Sequence, residues 1–323
     1  MVAAPLAAAA STVPGDVIDA HVHLFTVGLL TEWLEAMPPD AMPRFRKALE
    51  ERRFGRHGEH SLPDTSPEET AVWYAERLRA ANVAKALVVS VAPDNQWTRE
   101  FIAAANGHVH ALCNLDPRDA GAPGLLEREM AVGFRGVKLL PVNRCFRLSD
   151  PACRPLFEKA AELRAPVIVH YGVSVDPGAD LRFADPIDLS PVARDFPEVT
   201  FVIAHFGAGW LDSVLRLAYQ CKNVCVDSSG TNNWLDHHVP KMSLSDVFER
   251  CLTALGPERV LFGTDSNTTA PYRTWIRRMQ QGTLEEMGLS SRDLDLVLRG
   301  NASRIFRLDE PLHTQADSGA KGE

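Results

Sequence analysis

Eight short apolar runs, each set off from the next by an amphipathic or polar stretch, constrain the fold of this 323-residue chain more than any other feature. They are Val17–Ala20, Lys85–Val91, His108–Leu115, Phe134–Leu140, Val167–His170, Val199–His205, Val224–Asp227 and Val260–Gly263. Each is too short for a helix, and each is rich in Val, Leu and Ile, as strands buried on both faces should be. Helix signals stand between them. Ser66-Pro67-Glu68-Glu69 offers an N-cap, a proline at the first helical position and a capping-box glutamate. Asp150-Pro151, Ser190-Pro191 and Ser243-Leu244-Ser245-Asp246 repeat the idea. After Ser66, residues Ala71, Ala75, Leu78 and Ala81 fall on one helical stripe. Eight strands alternating with helices predict an α/β chain folded as a (β/α)8 TIM barrel. An open doubly wound sheet is the alternative, weakened because no glycine-rich phosphate loop follows an early strand.

The spacing divides the chain into a flexible alanine-rich extension over 1–15, one barrel domain over 16–308, and a flexible polar tail over 309–323. The extension lacks the basic start of a signal peptide. The interval from Phe25 to Pro67 is longer than a usual strand-to-helix connection and predicts an inserted, lid-like segment after strand 1. With 45% hydrophobic and 24% charged residues the chain has ample material for a core. A formal charge of -8 and the lack of a basic stripe argue against a nucleic-acid partner. No run approaches the ~18 apolar residues of a membrane span. Six cysteines without a Cys-x-x-Cys pair read as reduced thiols of a cytoplasmic protein.

In a parallel barrel, chemistry gathers where strands end. The first strand ends in Asp19-Ala20-His21-Val22-His23, in which alternation points His21 and His23 the same way, with Asp19 on the same face. Two imidazoles at this spacing can share a metal ion, and the carboxylate can orient a ring from behind. The fourth strand ends in Gly136-Val137-Lys138, the fifth in Val169-His170, the sixth in Ala204-His205, and the eighth in Gly263-Thr264-Asp265. Four histidines, a lysine and an aspartate at equivalent heights point to metal binding.

These segments, with His170-Tyr171-Gly172, His205-Phe206-Gly207 and the stretch Gly300-Asn301-Ala302-Ser303-Arg304-Ile305-Phe306, resemble the amidohydrolase superfamily, and within it the amidohydrolase 2 branch. The likeness runs in order over roughly residues 16 to 308. It implies a metal-dependent barrel enzyme in which His21, His23 and Asp265 bind the more buried ion. His170 and His205 then bind a second ion, or one of them joins the first site. Zinc suits such ligands best, with manganese or iron as alternatives, and the number of ions, one or two, stays open. The resemblance also implies a metal-activated water with Asp265 as proton shuttle. Lys138 is implied either as a carboxylated lysine bridging two metals or, as an ammonium, as a grip on a substrate carboxylate or a partner of an acidic neighbour.

Weaker expectations attach to other residues. Asn143, Arg144 and Arg147 follow Lys138 on the fourth loop, where an arginine can clamp an anionic group. Tyr171 can donate to an oxyanion or pack at the rim. Ser228, within Asp227-Ser228-Ser229-Gly230, is expected to line the pocket. His237 and His238 read as surface residues, His57 and His60 as part of the inserted segment, and His108 and His110 as lying at the wrong end of the barrel. The resulting expectation is a hydrolase cleaving an amide, lactone or ester bond of a small molecule. A decarboxylase or other lyase of the same branch is the alternative, and a catalytically silent binding barrel is a third. Barrels of this type commonly self-associate, and no sequence feature fixes an oligomeric state.

Overall fold

The computed structural model describes residues 17–25, 28, 31, 34, 35, 40, 43–51, 65–90, 95–174, 176, 178–231, 234–268 and 272–310. The expected extension over 1–15 and most of the expected tail lie outside these residues, as do His57, His60 and most of the expected insertion. Within that insertion a short helix spans Pro43–Glu50.

Among the described residues, nine strands form one sheet in which every neighbouring pair is parallel. They are β1 (Val17–Leu24), β2 (Val83–Ser90), β3 (Val109–Asn114), β4 (Val137–Leu139), β5 (Val167–Val169), β6 (Phe201–Ile203), β7 (Val224–Asp227), β8 (Val260–Leu261) and β9 (Ser266–Asn267). All eight expected runs are present as strands. The eighth is split, because the backbone turns left-handed at Asp265 (φ 59°) before resuming as β9 against β1. The ends of the sheet meet where the Ala20 amide donates to the Phe262 carbonyl (2.9 Å) and the Asp265 amide to the His21 carbonyl (3.0 Å). The result is a curled, TIM-barrel-like α/β fold.

Eight helices alternate with these strands: α1 (Pro67–Ala80), α2 (Asn95–Ala104), α3 (Ala122–Ala131), α4 (Arg154–Leu163), α5 (Ser190–Asp195), α6 (Leu211–Gln220), α7 (Leu244–Leu255) and α8 (Thr274–Glu286). Two begin as the sequence predicts, with reciprocal capping boxes at Ser66/Glu69 and Ser243/Asp246. Asp150 caps a single 3-10 turn over Pro151–Cys153 rather than α4 itself. At Ser190 the expected cap fails. A 3-10 turn over Pro186–Leu189, capped by Asp185, runs directly into α5, so Leu189 occupies the cap position and Ser190 is already helical. The stripe Ala71, Ala75, Leu78 and Ala81 is buried against the sheet.

Two apolar layers result. One lies between sheet and helices. The other fills the barrel interior with Ile18, Ala20, Leu87, Val89, Leu112, Ile168, Val202, Ala204, Cys225 and Leu261. Ala302, Ile305, Phe306 and Leu308 join that interior cluster. Lys85, at the start of β2, donates to the Leu308 carbonyl (2.6 Å), and Arg135, just before β4, donates to the Glu310 carbonyl (2.6 Å). The closing segment therefore plugs the barrel at the strands' N-terminal ends. Asp309, where the tail was expected to begin, is held by Lys85 (2.6 Å).

One irregularity in β1 decides which of its side chains reach the barrel interior. Asp19 pairs with Ala86 and Val22 with Val88, so three steps along β1 match two along β2. This β-bulge inserts one residue and reverses which side chains face inward. Before it, Ile18 and Ala20 point into the barrel; after it, Val22 and Leu24 point out to the helices.

Candidate active site

The bulge separates Asp19 from the two histidines it was expected to support. Asp19 is fully buried, and its oxygens accept from the His21 amide (3.0 Å), the Thr264 amide (3.1 Å), the Thr264 hydroxyl (2.5 Å) and the Tyr272 hydroxyl (2.7 Å). Burial pushes its carboxyl up to about 6 against the pull of those donors. It touches no imidazole ring there and instead ties β1 to the Thr264 turn.

Beyond the bulge the expected residues converge. Ligand atoms of His21, His205 and Asp265 lie within 4.8 Å of one another. His23 Nε2 is 2.9 Å from Asp265 Oδ1. The His205 ring centroid is 4.8 Å from that of His21 and 5.0 Å from that of His170. Lys138 is 1% exposed, and its Nζ has no hydrogen-bond partner. Buried His21 Nε2 and His170 Nε2 have none either.

The backbone is contorted to achieve this. His205, Phe206 and Ala208 all have positive φ, as does Asp265. Each non-glycine residue in that region costs on the order of 1–2 kcal/mol. The cost is offset by bonds at the strained points: the His205 amide donates to Asp227 Oδ1 (3.0 Å), and Arg273 Nη1 donates to the Asp265 carbonyl (2.8 Å).

The electrostatics arise from burial and crowding. Burial, with the Lys138 cation close by, pushes His21 down to about 3 against the opposing pull of Asp227. Burial and neighbouring His205 hold His170 well below its usual range, and burial also lowers His205. Burial alone would raise both acids. The imidazoles of His21 and His205 and the Ser229 hydroxyl hold Asp227 low, and those of His23, His205 and His21 do the same for Asp265. Burial pushes Lys138 down to about 8, with Asp227 and Asp265 pulling the other way. Near neutral pH the pocket thus holds unprotonated His21, His170 and His205 beside two carboxylates.

This donor set fits a divalent metal ion. Neutral imidazole nitrogens without partners, 1% or less exposed in the case of His21, would be costly to leave unsatisfied, and imidazole with carboxylate is a ligand chemistry such ions favour.

The remaining expected contacts fall elsewhere. Arg144 is braced against β3, donating to the Leu115 carbonyl (2.7 Å) and Asn114 Oδ1 (2.6 Å). Asn143 Nδ2 bonds Ser174 and Asp176 (3.0 Å each), joining the fourth loop to the fifth. Tyr171 is buried, with its hydroxyl 3.5 Å from Asp188. Ser228 is turned into the wall, where its hydroxyl donates to Gln280 (2.5 Å) and accepts from the Gly263 amide (3.2 Å). Ser229 is the residue that meets the site, with Oγ 2.8 Å from His205 Nδ1. Asp227 Oδ2, 2.8 Å from His21 Nδ1, is the ring-orienting carboxylate that the sequence pattern suggests at Asp19. Strand alternation carries the signal for both: with Cys225 inside, Asp227 and Ser229 come next on that face and Ser228 does not. His108 sits at the start of β3, with its Nδ1 3.4 Å from the Ala84 carbonyl, and His110 is buried there near Arg135 and Lys85, at the plugged end. His238 bonds the Pro240 carbonyl (2.9 Å).

Comparison with known proteins identifies the family. The amidohydrolase family model matches residues 18–308. The chain belongs to the amidohydrolase family. A curated relative, the 2-keto-4-carboxy-3-hexenedioate hydratase of Sphingobium sp. (strain NBRC 103272 / SYK-6), is 29% identical over 187 residues, 51% of this chain and 53% of that protein. The chain therefore spans about half the length of the curated relative it matches. Among solved structures, a 5-carboxyvanillate decarboxylase of Novosphingobium aromaticivorans with bound manganese superposes with a TM-score of 0.61 at 15% identity, covering 90% of this chain and 97% of that one. A zinc-bound amidohydrolase from Burkholderia multivorans does so with a TM-score of 0.59 at 15% identity, covering 90% and 99%. At such identities these two likenesses concern the fold. Amidohydrolase family members similar to this chain thus include hydrolytic and lyase names alike.

Proposed function

We propose that this protein is a metal-dependent hydrolase that cleaves an amide, lactone or ester bond of a small molecule. The observation that carries the reading is the set of buried polar atoms without partners, His21 Nε2, His170 Nε2 and Lys138 Nζ, gathered around Asp265. His21, His23, His170, His205 and Asp265 would hold one or two divalent ions, with zinc the first choice. A metal bound there polarises a carbonyl and acidifies a water.

The chain's own residues do the rest. Asp265, a carboxylate facing His23 Nε2 at 2.9 Å, accepts the proton of the attacking water and returns it to the leaving group. His21, His170 and His205 stay unprotonated and offer lone pairs. With its amine pushed down to about 8, Lys138 is roughly one-tenth neutral at pH 7. That neutral fraction can attack carbon dioxide and lose a proton, turning a buried cation into a carboxylate ligand.

The names of the hydratase and the decarboxylase share a carboxylated small molecule, which we extend to the substrate here. The same names favour a second reading, a decarboxylase or hydratase in which Lys138 stays an ammonium. The six unpaired cysteines accord with a cytoplasmic location.

Elemental analysis of protein purified without added metal, followed by Asp265→Asn, tests the proposal. Near two ions per chain and loss of turnover with metal retained are expected for the hydrolase. One ion with unmodified Lys138 turns the assignment to the lyase. Full turnover in Asp265→Asn, or turnover indifferent to chelation and reconstitution, removes the mechanism.

A further inference from the structure

One carboxylate touches two of the candidate ligands. Asp227 Oδ1 accepts from the His205 amide (3.0 Å), from the Ser229 amide (3.0 Å) and from the Ser229 hydroxyl, while Oδ2 faces His21 Nδ1 at 2.8 Å. The two amides can only donate, so Oδ1 is committed as an acceptor. A carboxylate has no proton to give, so the Ser229 hydroxyl directs its single proton to Oδ1. Ser229 Oγ must then accept from its other neighbour, His205 Nδ1 (2.8 Å). By the same logic His21 Nδ1 must carry the proton it shares with Oδ2.

We propose that Asp227, directly for His21 and through Ser229 for His205, is a tautomer lock that places the proton of both rings on Nδ1 and leaves both Nε2 lone pairs free for a ligand. Asp227 and Ser229 are positioning residues here. They sit at the end of β7 and on the loop after it, and they set the hand of two rings supplied by β1 and the turn after β6. Gly230 makes room for the arrangement, since a Cβ there would stand 2.8 Å from His205 Nδ1. His21 Nε2, buried and without a partner, is the nitrogen left bare. The lock exists in the metal-free protein, and it rests on the metal-dependent reading above only for its consequence, which is ligand strength.

The amide variant gives an asymmetric expectation. In Asp227→Asn three donors still require an oxygen at the Oδ1 position, so the amide nitrogen takes the Oδ2 position and points its hydrogens at His21 Nδ1. His21 must then accept at Nδ1 and carry its proton on Nε2, while His205 keeps its Nδ1 proton. Ser229→Ala does the converse, freeing His205 and leaving His21 unchanged.

The test is a long-range 1H–15N correlation spectrum of metal-free protein labelled with 15N in the imidazole rings, with His21 and His205 signals assigned by their own glutamine variants. Both rings are expected as Nδ1–H in the wild type. His21 alone is expected to switch in Asp227→Asn, and His205 alone to lose its single tautomer in Ser229→Ala. Zinc competition titrations are expected to show about 10- to 100-fold weaker binding in Asp227→Asn, the usual effect of losing a group that orients a metal-binding histidine. A His21 protonated on Nε2 in the wild type, or a His21 signal unmoved in Asp227→Asn, overturns the proposal. If Asp227→Asn does not fold, the Ser229→Ala spectrum decides, and an unchanged His205 refutes the relay. Locked tautomers in a wild type that binds neither zinc nor manganese nor iron would instead refute the metal-dependent reading and leave the lock standing.

Discussion

Replacing Lys138 by methionine should change how stability depends on pH, in a direction opposite to that of an ordinary ion pair. Lys138 is 1% exposed, its Nζ has no partner, and burial pushes its pKa down from 10.5 to about 8. Between those values the unfolded chain binds the proton and the folded chain does not, so wild-type stability rises with pH. Holding the ammonium at pH 7 costs about 3 kcal/mol, at roughly 1.4 kcal/mol per pH unit of that gap. Carrying the same linkage from pH 7 to pH 9 returns about 1 kcal/mol to the wild type. Methionine fills a similar volume without a charge, so it lacks this gain. The assay is urea unfolding of metal-free wild type and Lys138→Met at pH 7 and pH 9, in buffers freed of carbon dioxide so that the amine stays unmodified. The stability of the variant relative to wild type is expected to fall by about 1 kcal/mol over that range. A difference that stays constant, or grows with pH, would show that the ammonium carries no burial cost and would refute the reasoning. On the proposed hydrolase reading, in which Lys138 serves the chemistry, the same variant should also have no turnover.

Two further substitutions probe the frame around the site. Gly172 has φ +88°, and a Cβ there would lie 2.3 Å from the Gly207 carbonyl and 2.5 Å from that of Ala208. Gly172→Ala should therefore cost about 3 kcal/mol or more, from left-handed strain plus a backbone clash. It should also displace the turn that carries His205, read as a lowered thermal midpoint together with weaker metal retention; an unchanged midpoint would contradict it. Ser66→Ala removes one half of the α1 capping box and should cost about 1 kcal/mol in chemical denaturation while leaving metal content untouched.

Much of this architecture is legible in the sequence because a parallel sheet buried on both faces leaves a strong mark. Val167–Val169 and Val224–Asp227 read as strands without knowledge of their partners. Their C-terminal ends are legible too, since the barrel places His170, His205, Lys138 and Asp265 at one rim whatever the loops do. The bulge in β1 is not legible. It depends on how Asp19 and Val22 pair with β2, and that one-residue slip moves Asp19 from the ring-supporting role to the Thr264–Tyr272 contact. That Ser229 rather than Ser228 meets the site is legible, because alternation from the inward-facing Cys225 carries Asp227 and Ser229 to the same face. The Ser190 cap failed because a 3-10 turn upstream had already started the helix, a competition between neighbouring local signals that a single motif cannot settle. The left-handed turns at His205 and Asp265 arise from tertiary bonds to Asp227, His21 and Arg273, which local propensity does not register.

The plugged end of the barrel has a consequence for traffic. Ala302, Ile305, Phe306 and Leu308 fill the floor, and Lys85 and Arg135 pin the backbone just beyond it. Among the described residues no polar passage runs down the axis through that apolar packing, so a molecule reaching the histidines enters by the loop rim and its products depart by the same doorway. Arrival and departure then compete for one opening, and turnover is coupled to how quickly the rim clears. Changes to the floor should act on the stability of the vessel, and changes to the rim on the schedule of what passes through it.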